Sequence, residues 1–371
     1  MSITATPAKE PRLHIVKRDG LPWHRALLIR AAALLLSLCV CAVVIFALTG
    51  MNPLEVYKAY VSGAVGTNRR LWTTIRDSAT LLLIALAITP AFKMRFWNIG
   101  AEGQVLVGGL ATAAVMIYGG GALPTWLLFV LMAAASLLAG MIWGIIPAFF
   151  KAKYNTNETL FTLMLNYVAM QLVTFSIVFW ENPKGSNTVG IIHQGTEYGW
   201  FAPLFGQKYG INVLIVLSIT VLMFIYLRYS KPGYEIAVVG ESENTARYAG
   251  INVGRVILRT MAISGALSGL AGFIIVSGCS HTISTSTAGG RGFTAIIVSW
   301  LAKFNPFTMI LIAFFLVFME KGAIQIASQF NLNENASDVL TGIILFFILG
   351  CEFFINYKVS LRRHGRKEIK G

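Results

Sequence analysis

Apolar residues in this chain form long unbroken runs, unlike the strict alternation of a half-buried strand or the one-sided stripe of a soluble helix. Ten runs stand out: 26–48, 74–92, 98–118, 124–150, 158–180, 211–229, 259–278, 293–302, 307–325 and 337–357. All but one reach the roughly 17–25 residues that a helix needs to cross the hydrocarbon. The exception, 293–302, would cover about 15 Å, half that thickness. The pattern predicts an all-α polytopic membrane protein with about ten transmembrane helices, some of them interrupted. The first run exceeds the 7–15 residues of a signal-peptide core and reads as a retained span.

Composition agrees with this pattern. The chain has 371 residues, is 56% hydrophobic and only 12% charged, about half the charged share of a soluble domain, and its mean hydropathy is +0.68. The net charge of +14 would suit a nucleic-acid binder, but its placement speaks for a membrane. With the N-terminus inside, 22 of the 30 Lys and Arg fall on inner segments and 8 on outer ones, as the positive-inside rule requires. Both termini are then cytosolic, and the basic tails read as anchors on anionic membrane lipid rather than as nucleic-acid arms. The expected layout is a cytosolic tail over 1–25, a permease-like membrane domain over 26–357 and a basic cytosolic tail over 358–371. Within the membrane domain, 181–210 forms the longest external loop and 230–258 the largest cytosolic one.

Three polar stretches interrupt the apolar pattern. Phe96-Trp97-Asn98-Ile99-Gly100-Ala101-Glu102-Gly103-Gln104 places an acid, two amides and two glycines at the head of a span. A carboxylate at the centre of a membrane helix costs roughly 2.5–3.5 kcal/mol on insertion scales, so such residues mark a polar route. The structural alternative is that Asn98 caps a helix and Glu102 sits in its first turn. Gly289-Gly290-Arg291-Gly292-Phe293 resembles that stretch in form: a glycine-rich polar turn followed by an apolar helix. The parallel suggests two pseudo-repeated halves whose broken helices meet near the membrane centre. Arg291 could then contact substrate, pair with Glu102, or snorkel outward. Asn166 lies about 12 Å into its span and would serve either a substrate or an interhelical hydrogen bond. Trp97, Asn98, Glu102, Gln104, Asn166, Arg291 and Phe293 are therefore the candidate pathway residues. At the third stretch, Gly240–Ile251, Ser242 is an N-cap candidate, Glu243 falls in a first turn and Gly250 sits at a C-terminal glycine position. A helix this short must pack on something to persist. Just before the fifth span, Asn155 and Glu158 have capping-box spacing.

Other chemistry finds little support. Cys39, Cys41, Cys279 and Cys351 lie in or beside apolar runs without metal spacing, and the simplest reading is packing. The five histidines are scattered, no catalytic or metal cluster is expected, and no G-x-x-x-x-G-K-[ST] phosphate loop is present.

FWNIGAEGQ at 96–104, NETLFTLMLNY at 157–167 and GESENTARYAGI at 240–251 resemble the permease subunits of bacterial ABC importers in the branched-chain amino acid, ribose and nucleoside group, and most resemble its nucleoside (simple sugar) permeases. The chain departs from them at 159–162, Thr-Leu-Phe-Thr, and at Arg291, where an uncharged residue is commoner. The resemblance implies an inner-membrane permease without a cofactor or an ATPase site of its own. It would work with a second, different permease subunit, cytosolic ATP-binding subunits and an external substrate-binding protein. It further implies that Gly240, Ser242, Glu243, Asn244, Arg247, Tyr248 and Gly250 form the element that couples to the ATPase. The ligand would be a nucleoside or sugar, with Phe96, Trp97 and Phe293 stacking on it and Asn98, Gln104 and Asn166 binding its hydroxyls. The competing expectation is a secondary transporter driven by an ion gradient, with Glu102 as its cation site.

Overall fold

The computed structural model describes residues 13–18, 22–50, 52–330 and 334–361. They form helices α1 (Trp23–Thr49), α2 (Pro53–Val65), α3 (Asn68–Lys93), α4 (Ala101–Gly119), α5 (Thr125–Tyr154), α6 (Glu158–Trp180), α7 (Gly210–Tyr229), α8 (Lys231–Glu241), α9 (Glu243–Tyr248), α10 (Val253–Ile275), α11 (Arg291–Leu301), α12 (Pro306–Gln329) and α13 (Glu334–Asn356). Strands β1 (Leu13–Lys17) and β2 (Tyr357–Leu361) pair antiparallel, Leu13 opposite Leu361 and Lys17 opposite Tyr357.

Among the described residues, eight helices are long and apolar enough to cross a membrane, and two shorter apolar ones lie at Arg291–Leu301 and Val339–Ile355. All ten expected apolar runs are therefore helical, but α11, at 11 residues, is too short to cross. Several boundaries move. The expected cytosolic loop at 230–258 is itself helical, comprising α8, α9 and the start of α10. The third span begins at Ala101 rather than Asn98, because 94–100 is a turn. The terminal segments read as tails contribute the β1–β2 pair, and α1 already begins at Trp23 within the first; residues 1–12, 19–21 and 362–371 lie outside the described residues. Before α6 the cap is displaced from the expected spacing. Asn155 ends α5 in a left-handed conformation (φ 50°), whereas Asn157 caps α6 by accepting from Leu160 N at 3.1 Å. Glu158 instead pairs with Lys151 at 3.0 Å.

The chain divides into two compact units, Met1–Ala64 with Met319–Gly371, and Val65–Phe318. In the first, α1 packs on α13, Cys41 Sγ contacts Leu340 O at 3.8 Å, and Tyr60 OH donates to Met319 O at 2.6 Å.

The second unit carries every candidate site. Its centre is α10, packed on α3, α4 and α5. Without water to exclude between helices, close van der Waals contact drives their association, and small residues permit it. A Cβ at Gly269 would collide with the Ser136 backbone and one at Gly108 with that of Gly269; Gly140 and Gly265 approach each other just as closely. Crosswise packing joins the two glycine-rich turns: α4, which follows the first, lies on α10, and α11, which follows the second, lies on α3.

Candidate functional site

The stretch 94–104 begins where α3 ends. Arg95 takes a left-handed conformation (φ 61°), and Phe96 N folds back to Ala91 O at 2.9 Å. This turn buries Phe96 and leaves Trp97 45% exposed. Trp97 stands edge-on to Phe92 (5.6 Å) and stacks on Trp300 of α11 (5.8 Å, 22°). Asn98 is fully buried: its Oδ1 accepts from Gly100 N at 3.1 Å and Gln104 Nε2 at 3.3 Å, and its Nδ2 donates to Ser264 Oγ of α10 at 3.1 Å. Asn166 reaches across from α6, accepting from Gly103 N at 2.9 Å and donating to Ile99 O at 3.0 Å. Thr162 Oγ1 accepts from Ile99 N at 3.2 Å.

The physical reason lies in the start of α4. Its N-cap residue is Gly100, which has no side chain to satisfy the first-turn amides. Such orphan groups need partners when buried. Asn98 from the turn before α4, and Thr162 and Asn166 from α6, provide for them. Asn98, Gln104 and Asn166, expected to bind substrate hydroxyls, thus direct their polar groups to bonds within the chain.

Glu102 performs a similar service for another helix. α11 starts at the left-handed Gly290 (φ 72°) and has no side-chain cap of its own. The Glu102 carboxylate accepts from Gly290 N at 2.7 Å and Gly292 N at 2.8 Å. A carboxylate at a helix N-terminus meets the positive end of the helix dipole and makes charge-assisted hydrogen bonds. The two glycine-rich turns found in the sequence therefore meet.

Arg291 does not take Glu102 as its ion partner. Its guanidinium lies 3.4 Å from Asp77 Oδ1, which Arg76 also approaches at 2.7 Å. Arg76 additionally donates to Tyr209 OH at 3.3 Å and lies over that ring. Asp77 is buried, about 13 Å along α3 from its first residue. Asp77 thus sits between two arginines, while Glu102 binds the amides on either side of Arg291; pairing is how a low-dielectric interior accommodates ions. Arg76 and Asp77 are not among the candidate pathway residues that the sequence pattern offers. The signal was an acid within an apolar helix. From this cluster α11 runs alongside α3 to Ser299, whose hydroxyl meets Thr89 at 3.0 Å, and to Trp300. Phe293 on its open face is 45% exposed.

The third stretch is built as its residues predict locally. Ser242 caps α9, accepting from Thr245 N at 3.2 Å, and Gly250 follows the helix with φ 76°. Gly240 packs so tightly on the end of α3 that a Cβ there would strike Lys93 O. In α9 only Ala246 is buried, in a cluster with Met94, Phe96, Ile236, Val256 and Met261. Glu243, Asn244, Arg247 and Tyr248 face outward, Tyr248 93% exposed. The same cluster therefore holds both the short helix and the turn leading to Trp97.

At the opposite end of α10, a π-helical turn (Val276–Ser280) precedes His281. Trp200 from the 181–210 segment stacks on that imidazole at 3.8 Å and 9°, and Phe201 N donates to Ser277 O. Burial, with the Lys208 charge, pulls the His281 pKa down to about 4. Among the described residues, no group of three or more His, Cys, Asp or Glu is placed to hold a metal.

A helical membrane unit with broken helices meeting inside it and a short capped helix at one end is the architecture of a transport permease. Residues 71–349 match the family model described as branched-chain amino acid transport system / permease component, and the chain belongs to that family. It is 29% identical to the guanosine ABC transporter permease protein NupP of Bacillus subtilis over 87% of this chain and 92% of that one. It is 27% identical to the nucleoside ABC transporter permease protein NupB of Lactococcus lactis over 87% and 91%. The glucose ABC transporter permease protein TsgB13 of Haloferax volcanii is 26% identical over 88% of each chain.

Proposed function

We propose that this permease is a subunit of an ABC importer for a nucleoside or simple sugar. The observation carrying this reading is the family match over residues 71–349, with curated relatives named for guanosine, nucleosides and glucose. ATP is hydrolysed on separate cytosolic subunits, which grip the exposed face of α9. A second permease completes the pathway, and an external binding protein delivers the ligand. The chain lies in the cytoplasmic membrane with both termini cytosolic, as the 22 to 8 distribution of basic residues supports.

Within this reading the candidate residues divide by task. Trp97, Phe293 and Trp300 offer half-exposed rings to the flat face of a base or sugar. Asn98, Gln104, Asn166 and Glu102 hold the helix ends that position those rings. Arg291 and Asp77 set the charge balance beside them. Gly240, Ser242 and Gly250 shape α9, while Glu243, Asn244, Arg247 and Tyr248 meet the ATPase.

The test is uptake of labelled guanosine, adenosine, glucose and ribose by proteoliposomes holding this chain with its partner subunits. Transport of one class that requires ATP inside is the expected result. Uptake that survives without ATP and collapses with an ionophore would replace the reading with the gradient-driven one.

A further inference from the structure

A cavity of about 630 Å3 opens where the ends of α3 and α7 meet α8 and the turn between α11 and α12. Its volume lies within the roughly 300–1,000 Å3 of small-ligand sites. Three cations line it, Lys93, Arg228 and Lys303, together with the aromatic rings of Phe224, Tyr229 and Tyr234, and none of its lining residues is a carboxylate. Among the described residues, none of the three cations forms an ion pair.

The contrast with the neighbouring cavity is direct. That one is also lined by three cations, Lys231, Arg255 and Arg259, but it contains Glu235, which pairs with Arg259 at 2.9 Å. Its charge is partly cancelled from within, whereas that of the first is not. Basic groups so gathered repel one another, and an anion relieves the repulsion.

Lys303 is held at the rim by an unusual backbone. It and Phe304 both adopt left-handed conformations, φ 50° and 60°, and their amides close back on Trp300 O and Ser299 O. Two consecutive non-glycine residues in that region carry strain, which the surrounding structure must hold in place. Tyr229 and Tyr234 are 72% and 67% exposed, as rings are at a membrane–water boundary. The Phe224 ring packs on Phe307 at 4.9 Å, continuing the wall as apolar surface along the membrane helices α7 and α12.

We propose that this cavity binds the phosphate of an anionic phospholipid headgroup, with its acyl chains lying along α7. A free phosphate shares the charge but has no use for the apolar wall, which is why a lipid is the occupant. The inference rests on the membrane orientation proposed above and not on the identity of the substrate.

The test uses the assembled transporter purified in detergent, with retained lipid measured by native mass spectrometry against added phosphatidylglycerol and phosphatidylcholine. The wild type is expected to prefer phosphatidylglycerol by about tenfold, in keeping with the attraction of clustered Lys and Arg for anionic lipid. Arg228→Gln with Lys303→Gln should reduce that preference to none, and Arg228→Lys with Lys303→Arg should restore it. Lys231→Gln, in the neighbouring cavity, should leave it unchanged. An unaltered preference in the Gln double variant, confirmed as monodisperse, would overturn the proposal, as would inorganic phosphate displacing the lipid. A substrate other than a nucleoside or sugar would leave the result standing.

Discussion

Glu102 and Gly292 pack closely where the two glycine-rich turns meet. A Cβ at Gly292 would stand 2.6 Å from Glu102 N and 2.8 Å from its Oε2. Gly292→Ala must therefore displace the carboxylate from α11, and a loss of about 1–3 kcal/mol of stability is expected, as for other overpacked interiors. Glu102→Gln keeps the shape but exchanges a charged acceptor for a neutral one; charged hydrogen bonds are worth about 1.5–3 kcal/mol each. Thermal unfolding of the purified permease checks both, and a Gly292→Ala protein as stable as wild type would show that this contact is slack. His281 makes a pH prediction. Its folded pKa, about 4, lies below the unfolded value near 6.5. As pH falls from about 6.5 towards 4 the unfolded chain binds a proton that the folded chain refuses, so stability declines across that window and the difference is complete below it. His281→Gln should flatten the response, measured as exposure of Trp200 fluorescence against pH.

At the scale of elements, α9 is six residues long and anchored by one buried side chain, Ala246. Its Glu243–Arg247 pair is 3.7 Å apart and largely exposed, so breaking it should change stability by less than about 1 kcal/mol. If α9 meets the ATPase, Tyr248→Ala should leave the melting temperature unchanged yet lower retention of the ATPase subunit severalfold in co-purification. Ala246→Glu should instead destabilise the inner cluster, because it forces a charge among Phe96, Ile236 and Met261. Equal retention by Tyr248→Ala and wild type would remove α9 from the docking surface. The short α11 was already visible as a run too brief to span. The helical nature of 230–258 was less visible: α8 is mixed in polarity, and it is ordered by backbone contact between Gly240 and Lys93.

At the scale of the whole molecule, orientation is the testable property. Cysteines placed by Lys231→Cys and Lys184→Cys, in a background without the native four, should react with an impermeant reagent from opposite sides of the membrane, Lys184→Cys from outside. Labelling of both from one side would contradict the proposed topology. The pairing of β1 with β2 brings the two terminal segments together, a feature that no apolar pattern announced, since five-residue strands carry too weak a signal within a charged tail.

The sequence by itself determined that this is a helical membrane protein, where its apolar runs fall, and which polar stretches interrupt them. Those features follow from the local cost of placing charge and bare backbone in hydrocarbon. Tertiary structure alone decided what the polar groups hold. Asn98 and Asn166 complete the first turn of α4, Glu102 caps α11 from 188 residues away, and Arg291 turns to Asp77. A helix end buried without a cap of its own must find its partner wherever packing brings one, and spacing along the chain contains no record of that meeting.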